Sequence, residues 1–113
     1  MMPHLPYADA VHAALVEADV APETLTATET DDGQFVVLVE WPTVRTSLRW
    51  HSGTGWRHSA PHCGGPLFVD HLADPAALAE AAGQLLDGFP PHTTRARWTG
   101  APTLDRALAA RGI

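Results

Sequence analysis

The sequence predicts an α+β domain: an N-terminal helix, an antiparallel meander sheet of four to five strands, then one long and one short C-terminal helix packed on one face of the sheet. Three observations carry this reading. Apolar residues recur at helical spacing near the N-terminus, they alternate at strand spacing through the middle of the chain, and helical spacing returns after Asp74-Pro75. The 113 residues leave room for one domain, with a core over about residues 7–88 and an extension over 89–113.

From Tyr7 to about Asp19, Val11, Ala14, Leu15 and Ala18 form one buried stripe, and Ala21-Pro22 ends the helix. Residues 25–29 have modest strand character. Asp31-Asp32-Gly33 is a turn signal, because aspartate and glycine tolerate the positive φ that hairpins demand. The strongest strand follows, Gln34 to Trp41. It sets Phe35, Val37, Val39 and Trp41 on one face and Val36 and Leu38 on the other, a pattern that suits a central strand. Residues 44–51 and 56–60 form the next pair, around Ser52-Gly53-Thr54-Gly55. A two- or four-residue loop sets His51 opposite Trp56 and groups Arg49, His51, Trp56 and His58 on one face. A three-residue loop shifts the pairing by one residue and changes that grouping. Pro61 to Pro66 reads as a loop and Leu67-Phe68-Val69 as a short fifth strand. Asp74 as N-cap and Pro75 in the first turn start a helix that Gly88 stops. A last helix spans about Thr103 to Arg111, with Gly112 after it.

Composition narrows function by exclusion. The formal net charge of −6 disfavours a nucleic-acid binder and docking on anionic membrane. The start MMPHLPYADA has neither the basic nor the apolar region of a signal peptide, so a cytoplasmic location is expected. The single cysteine, Cys63, forbids an intrachain disulfide. The chain has no lysine, no asparagine and one isoleucine, the imprint of a GC-rich genome, under which arginine and histidine can reflect codon usage as well as chemistry.

The stretch Leu48-Arg-Trp-His-Ser-Gly-Thr-Gly-Trp56 resembles a pattern in uncharacterised actinobacterial α+β domain families, domains of unknown function, over roughly residues 7–88. There a strand ending in tryptophan and a polar residue meets a Gly-Trp after a tight turn. The resemblance implies the fold and an actinobacterial source, and carries no functional residues with it. The helix–sheet–helix order is also similar to that of secretion-chaperone-like domains, which bind other proteins, although fold does not imply function.

Three groups of residues carry candidate chemistry. His51, His58, His62, Cys63 and His71 are the residue types that ligate zinc, yet they lack the paired spacing of known zinc motifs. Cys63, with His62, His58 or His71 as base and Gly64-Gly65 as an oxyanion site, is the candidate nucleophile of a small thiol enzyme. The hairpin carrying Arg45, Arg49, Trp50, Trp56 and Arg57 mixes tryptophan with arginine, the types that anchor protein interfaces. Arg95, Arg97 and Trp98 form a second such group, which lines the same groove if the tail folds onto the sheet. The favoured reading is a non-catalytic module that needs no cofactor and binds another protein or itself, with Arg49, Trp56 and Trp98 on the contact surface. A metal-dependent or thiol enzyme is the alternative, and a DNA-associated accessory protein the third reading.

Overall fold

In the computed structural model, which describes residues 2–91 and 94–112, the N-terminal helix α1 (Leu5–Glu17) buries Tyr7, Ala8, Val11 and Leu15. Val11 and Leu15 belong to the predicted stripe and Tyr7 and Ala8 extend it, while Ala14 and Ala18 line the gap toward the long helix. Five antiparallel strands follow in simple meander order: β1 (Thr24–Glu29), β2 (Phe35–Trp41), β3 (Thr46–His51), β4 (Gly55–Ala60) and β5 (Cys63–Pro66). Two helices complete the chain, α2 (Pro75–Leu86) and α3 (Ala101–Ala110). The fold is α+β, as the sequence predicts.

Turn chemistry sets the meander. At the β1–β2 hairpin the Gly33 N–H donates to the Thr30 carbonyl, and Gly33 has φ +83°, which only glycine adopts without strain. Pro42 ends β2 in a single 3₁₀ turn, Pro42–Val44, and Arg45 takes a left-handed φ of 53° before β3 begins. The third strand therefore starts at Thr46 rather than 44, because residues 42–45 are taken up by this turn. The fifth strand also departs from expectation. It is Cys63–Pro66, read from sequence as a loop, whereas Leu67-Phe68-Val69 closes into a tight turn with the Val69 N–H on the Leu67 carbonyl. Asp74 precedes α2 as expected but makes no side-chain cap; its own N–H donates to the Ala96 carbonyl.

All three helices lie on one face of the sheet. There Phe35, Val37, Val39, Leu48 and Trp50 are fully buried against Leu15, Leu72, Leu78 and Leu85. Ala101, Leu104 and Leu108 of α3 join the same core, so α3 belongs to it. The connection to α3 returns through a β-bridge between Ala73 and Arg97, with the Trp98 N–H on the Leu72 carbonyl. Among the described residues no helix is long and apolar enough to cross a membrane.

Tyr7 is the hub of the core. Its hydroxyl donates to the Ala73 carbonyl at 2.7 Å and accepts from the Trp56 Nε1–H at 3.0 Å. Its ring meets Trp50 edge-on at 5.7 Å and Trp98 at 4.8 Å. Burial raises the Tyr7 phenol well above its usual range, so it serves as a neutral hydrogen-bonding group. The other buried indoles are also satisfied, Trp50 by the His71 carbonyl at 2.9 Å and Trp41 by the Ala21 carbonyl at 3.1 Å. A buried indole N–H left without an acceptor would cost more than its hydrogen bond contributes.

Candidate functional site

The β3–β4 loop holds three residues, Ser52 to Thr54, and this length decides which side chains share a face. Trp50 lies opposite Trp56, Arg49 opposite Arg57, His51 opposite Gly55, and Leu48 opposite His58. The pairing is the one-residue shift that a three-residue loop imposes, and the sequence-derived grouping of Arg49, His51, Trp56 and His58 gives way to two groups. Trp50, Trp56 and His58 face the helices, while Arg49, His51 and Arg57 face outward.

The residues expected on a contact surface separate accordingly. Trp56 is only 3% exposed and hydrogen-bonded to Tyr7, so it is a core residue. Trp98 is half-buried against Tyr7 on the helical side, where Arg97 is ion-paired with Asp70 and Asp105. The tryptophans of both Arg–Trp groups thus meet at Tyr7 on the helical side, while Arg49 and Arg57 face outward, so the two groups do not line one groove. Arg49 alone of the three stands exposed on the outer face.

The histidines are likewise dispersed. His51 is on the outer face and His58 on the inner, where its Nδ1 is buried without a hydrogen-bond partner. Burial pushes the His58 imidazole below its usual range, with the charges of Arg57 and His62 adding to the effect. His62 sits in the β4–β5 turn, with Nε2 3.5 Å from the Phe89 carbonyl. Cys63 opens β5, opposite Ala60 and packed against the core. The His71 ring meets Trp50 edge-on at 5.7 Å. Among the described residues no three His, Cys, Asp or Glu side chains converge in a way that holds a metal ion.

What the outer face does assemble is a donor-lined hollow of about 210 Å³, bordered by Arg49, His51, Thr54, Gly55 and Arg57. Arg49 and Arg57 are cross-strand neighbours, a placement in which like charges repel. Among the described residues neither forms an ion pair. The Gly53 N–H donates to His51 Nδ1 at 2.9 Å, which leaves Nε2–H as the donor of the neutral ring. Thr54 adds a hydroxyl, and Gly55, at φ +80°, adds no side chain to fill the space. The walls therefore offer two guanidinium groups, an imidazole N–H and a hydroxyl, and no carboxylate. A larger hollow between α1 and α2 has the opposite chemistry, four alanines with Glu17 and Glu80.

Around the hollow the outer face is mixed. One cross-strand row runs Thr26, Leu38, Arg49, Arg57, Pro66, and the row beside it Thr28, Val36, His51, Gly55. Leu38 is a half-buried apolar neighbour of Arg49, Val36 beside it is buried, and Glu40, in the next row, is the acid of this face, hydrogen-bonded by Thr24. Arg57 and Thr54 were legible as residues, but their meeting with Arg49 and His51 depended on the loop length. Tyr7, which satisfies two buried groups at once, carried no signal beyond its helical position.

No protein-family model, no curated protein and no solved structure matches this chain.

Proposed function

We propose that this protein is a non-catalytic binding module that takes an acidic segment of another protein on the outer face of its sheet. The carrying observation is the cross-strand pair Arg49–Arg57, exposed and without an ion pair among the described residues, in a chain whose net charge is −6. Two guanidinium groups side by side repel each other, and a bound carboxylate relieves that repulsion while accepting bidentate hydrogen bonds. The adjacent half-buried Leu38 supplies a small apolar contact beside Arg49. A nucleic acid suits the face less well, because two arginines beside Glu40 neutralise little of a phosphate backbone. Among the described residues no group of three metal-ligating side chains supports the metal-dependent alternative.

The proposal is tested by titrating ¹⁵N-labelled protein with a glutamate-rich peptide at low salt. Amide shifts are expected to change on Arg49, His51, Thr54 and Arg57 and to vanish in the Arg49→Ala/Arg57→Ala double variant, with circular dichroism unchanged. Shifts confined to other surfaces, no response at low salt, or preference for DNA over the peptide would each overturn it.

A further inference from the structure

The two edges of the sheet are built differently. β5 is four residues long, contains Gly64 and Gly65, and ends in Pro66. Shortness, glycine and proline all blunt an edge against pairing. β1 is six residues long, TLTATE, with no proline, glycine, lysine or bulge, and its threonines are exposed. The Thr30 N–H donates to the Gln34 carbonyl, which fixes the alternation along the strand. Thr24, Thr26 and Thr28 bond to β2, while the N–H and C=O groups of Leu25, Ala27 and Glu29 point away from the sheet. Among the described residues nothing bonds to that outer row.

We infer that β1 pairs with β1 of a second copy, antiparallel about a two-fold axis at Ala27, and joins two sheets into one. Only registers that set the outward-pointing residues opposite one another exchange hydrogen bonds, and these also keep each residue on its own face. Centring on Ala27 places Leu25 opposite Glu29 of the second copy and Thr26 opposite Thr28, with Thr24 opposite Thr30. Cross-strand threonine pairs are favourable, and the acids that face each other, Glu23 and Asp31 of the second copy, lie beyond the strand ends rather than within them. Moving the centre to Thr26 sets Glu23 against Glu29, and moving it to Thr28 sets Asp31 against Leu25 and shortens the overlap. Pairing about Ala27 forms three hydrogen-bonded pairs, or about six bonds. An edge contact of this length is small beside the about 1,200 Å² of a durable complex, so the dimer is reversible and concentration-dependent. The two-fold leaves both outer faces on the same side, so a dimer presents two Arg49–Arg57 pairs to one partner.

The experiment combines sedimentation with register-specific cross-linking. Wild-type protein is expected to shift from monomer toward dimer as concentration rises. Thr28→Lys, at an exposed position that keeps its hydrogen bonds to β2, is expected to weaken the dimer about tenfold or more. On a Cys63→Ser background, Thr26→Cys/Thr28→Cys should oxidise to a covalent dimer, because these residues face each other as a close, non-hydrogen-bonded pair. Thr24→Cys/Thr28→Cys, out of register, should not. A chain monomeric at all concentrations, or a dimer indifferent to Thr28→Lys and not linked by the in-register cysteines, would overturn the inference. Neither result depends on the arginine face, whose peptide binding is read on the monomer.

Discussion

Strands β3 and β4 carry two cross-strand pairs one residue apart, and the two have opposite fates. Trp50–Trp56 faces the helices, where Tyr7 lies edge-on to both rings and hydrogen-bonds the Trp56 indole. Arg49–Arg57 faces outward, without an ion pair among the described residues. The same pleat thus produces a surface in which the indole N–H groups of Trp41, Trp50 and Trp56 are satisfied and another whose two adjacent like charges are not neutralised by a described side chain. On the proposed reading stability belongs to the inner pair and recognition to the outer one, and substitutions on each side should separate the two.

Trp50→Ala is expected to have the largest effect. Trp50 is fully buried, in contact with Tyr7, His4 and His71, and its removal leaves a cavity that the β-sheet cannot close. A loss of about 3–5 kcal/mol in chemical denaturation is expected, enough to unfold much of a marginally stable domain. Arg49→Ala should change stability by no more than about 0.5 kcal/mol. Equal losses from the two variants would erase the division between the faces. Tyr7→Phe removes a single oxygen but strands both the Ala73 carbonyl and the Trp56 indole, and should cost about 1–3 kcal/mol with little change in the folded spectrum.

A smaller, pH-linked effect arises from the inner face alone. His4 is fully buried between Phe35, at 4.8 Å, and Trp50, at 6.1 Å, and neither ring nitrogen has a hydrogen-bond partner. Burial holds its imidazole below the ordinary value of 6.5, outweighing the opposing pull of the Val36 and Thr28 backbone and of the Glu29 charge, and His58 is lowered in the same direction. In the unfolded chain both take protons near 6.5, so as pH falls through that value the unfolded state binds more protons than the folded one. Stability is therefore complete above 6.5 and declines on acidification. Thermal melts from pH 8 to 5 should show this decline, and His4→Leu should flatten it without destabilising the protein at pH 8. A flat wild-type profile would show that neither ring is held neutral.

The helices and the central strand were legible because long periodic patterns report burial directly: Val11 and Leu15 in α1, Phe35 to Trp41 in β2, and Leu78 to Leu85 in α2. The candidate site was only half legible. Arg49 and Arg57 stood out as residues, but Ser52-Gly53-Thr54-Gly55 fits loops of two, three or four residues, since either glycine can take the left-handed position. Strand side chains alternate with period two, so that one-residue ambiguity exchanged the faces of Trp56 and His58 relative to Arg49. β5 was illegible for a different reason. Cys63-Gly64-Gly65-Pro66 has little intrinsic strand preference and becomes a strand because β4 templates it, an override that only the tertiary fold reveals.

The smallest expected effect bears most directly on the outer pair. Replacing Arg49 with glutamate converts a repulsive cross-strand contact with Arg57 into an attractive one. For exposed cross-strand charges the change is about 0.2–1 kcal/mol, here in favour of the folded state. Arg49→Glu should therefore raise the denaturation midpoint slightly while abolishing the response to a glutamate-rich peptide, since the new carboxylate occupies the place the peptide would take. Few substitutions at a structural position improve stability and remove binding together, and a residue whose only task is structural gives no reason for arginine to stand there. A variant that is less stable than wild type, or that still binds the peptide, would mean that the two arginines already have their counter-charge, and that the outer face is as self-contained as the inner one.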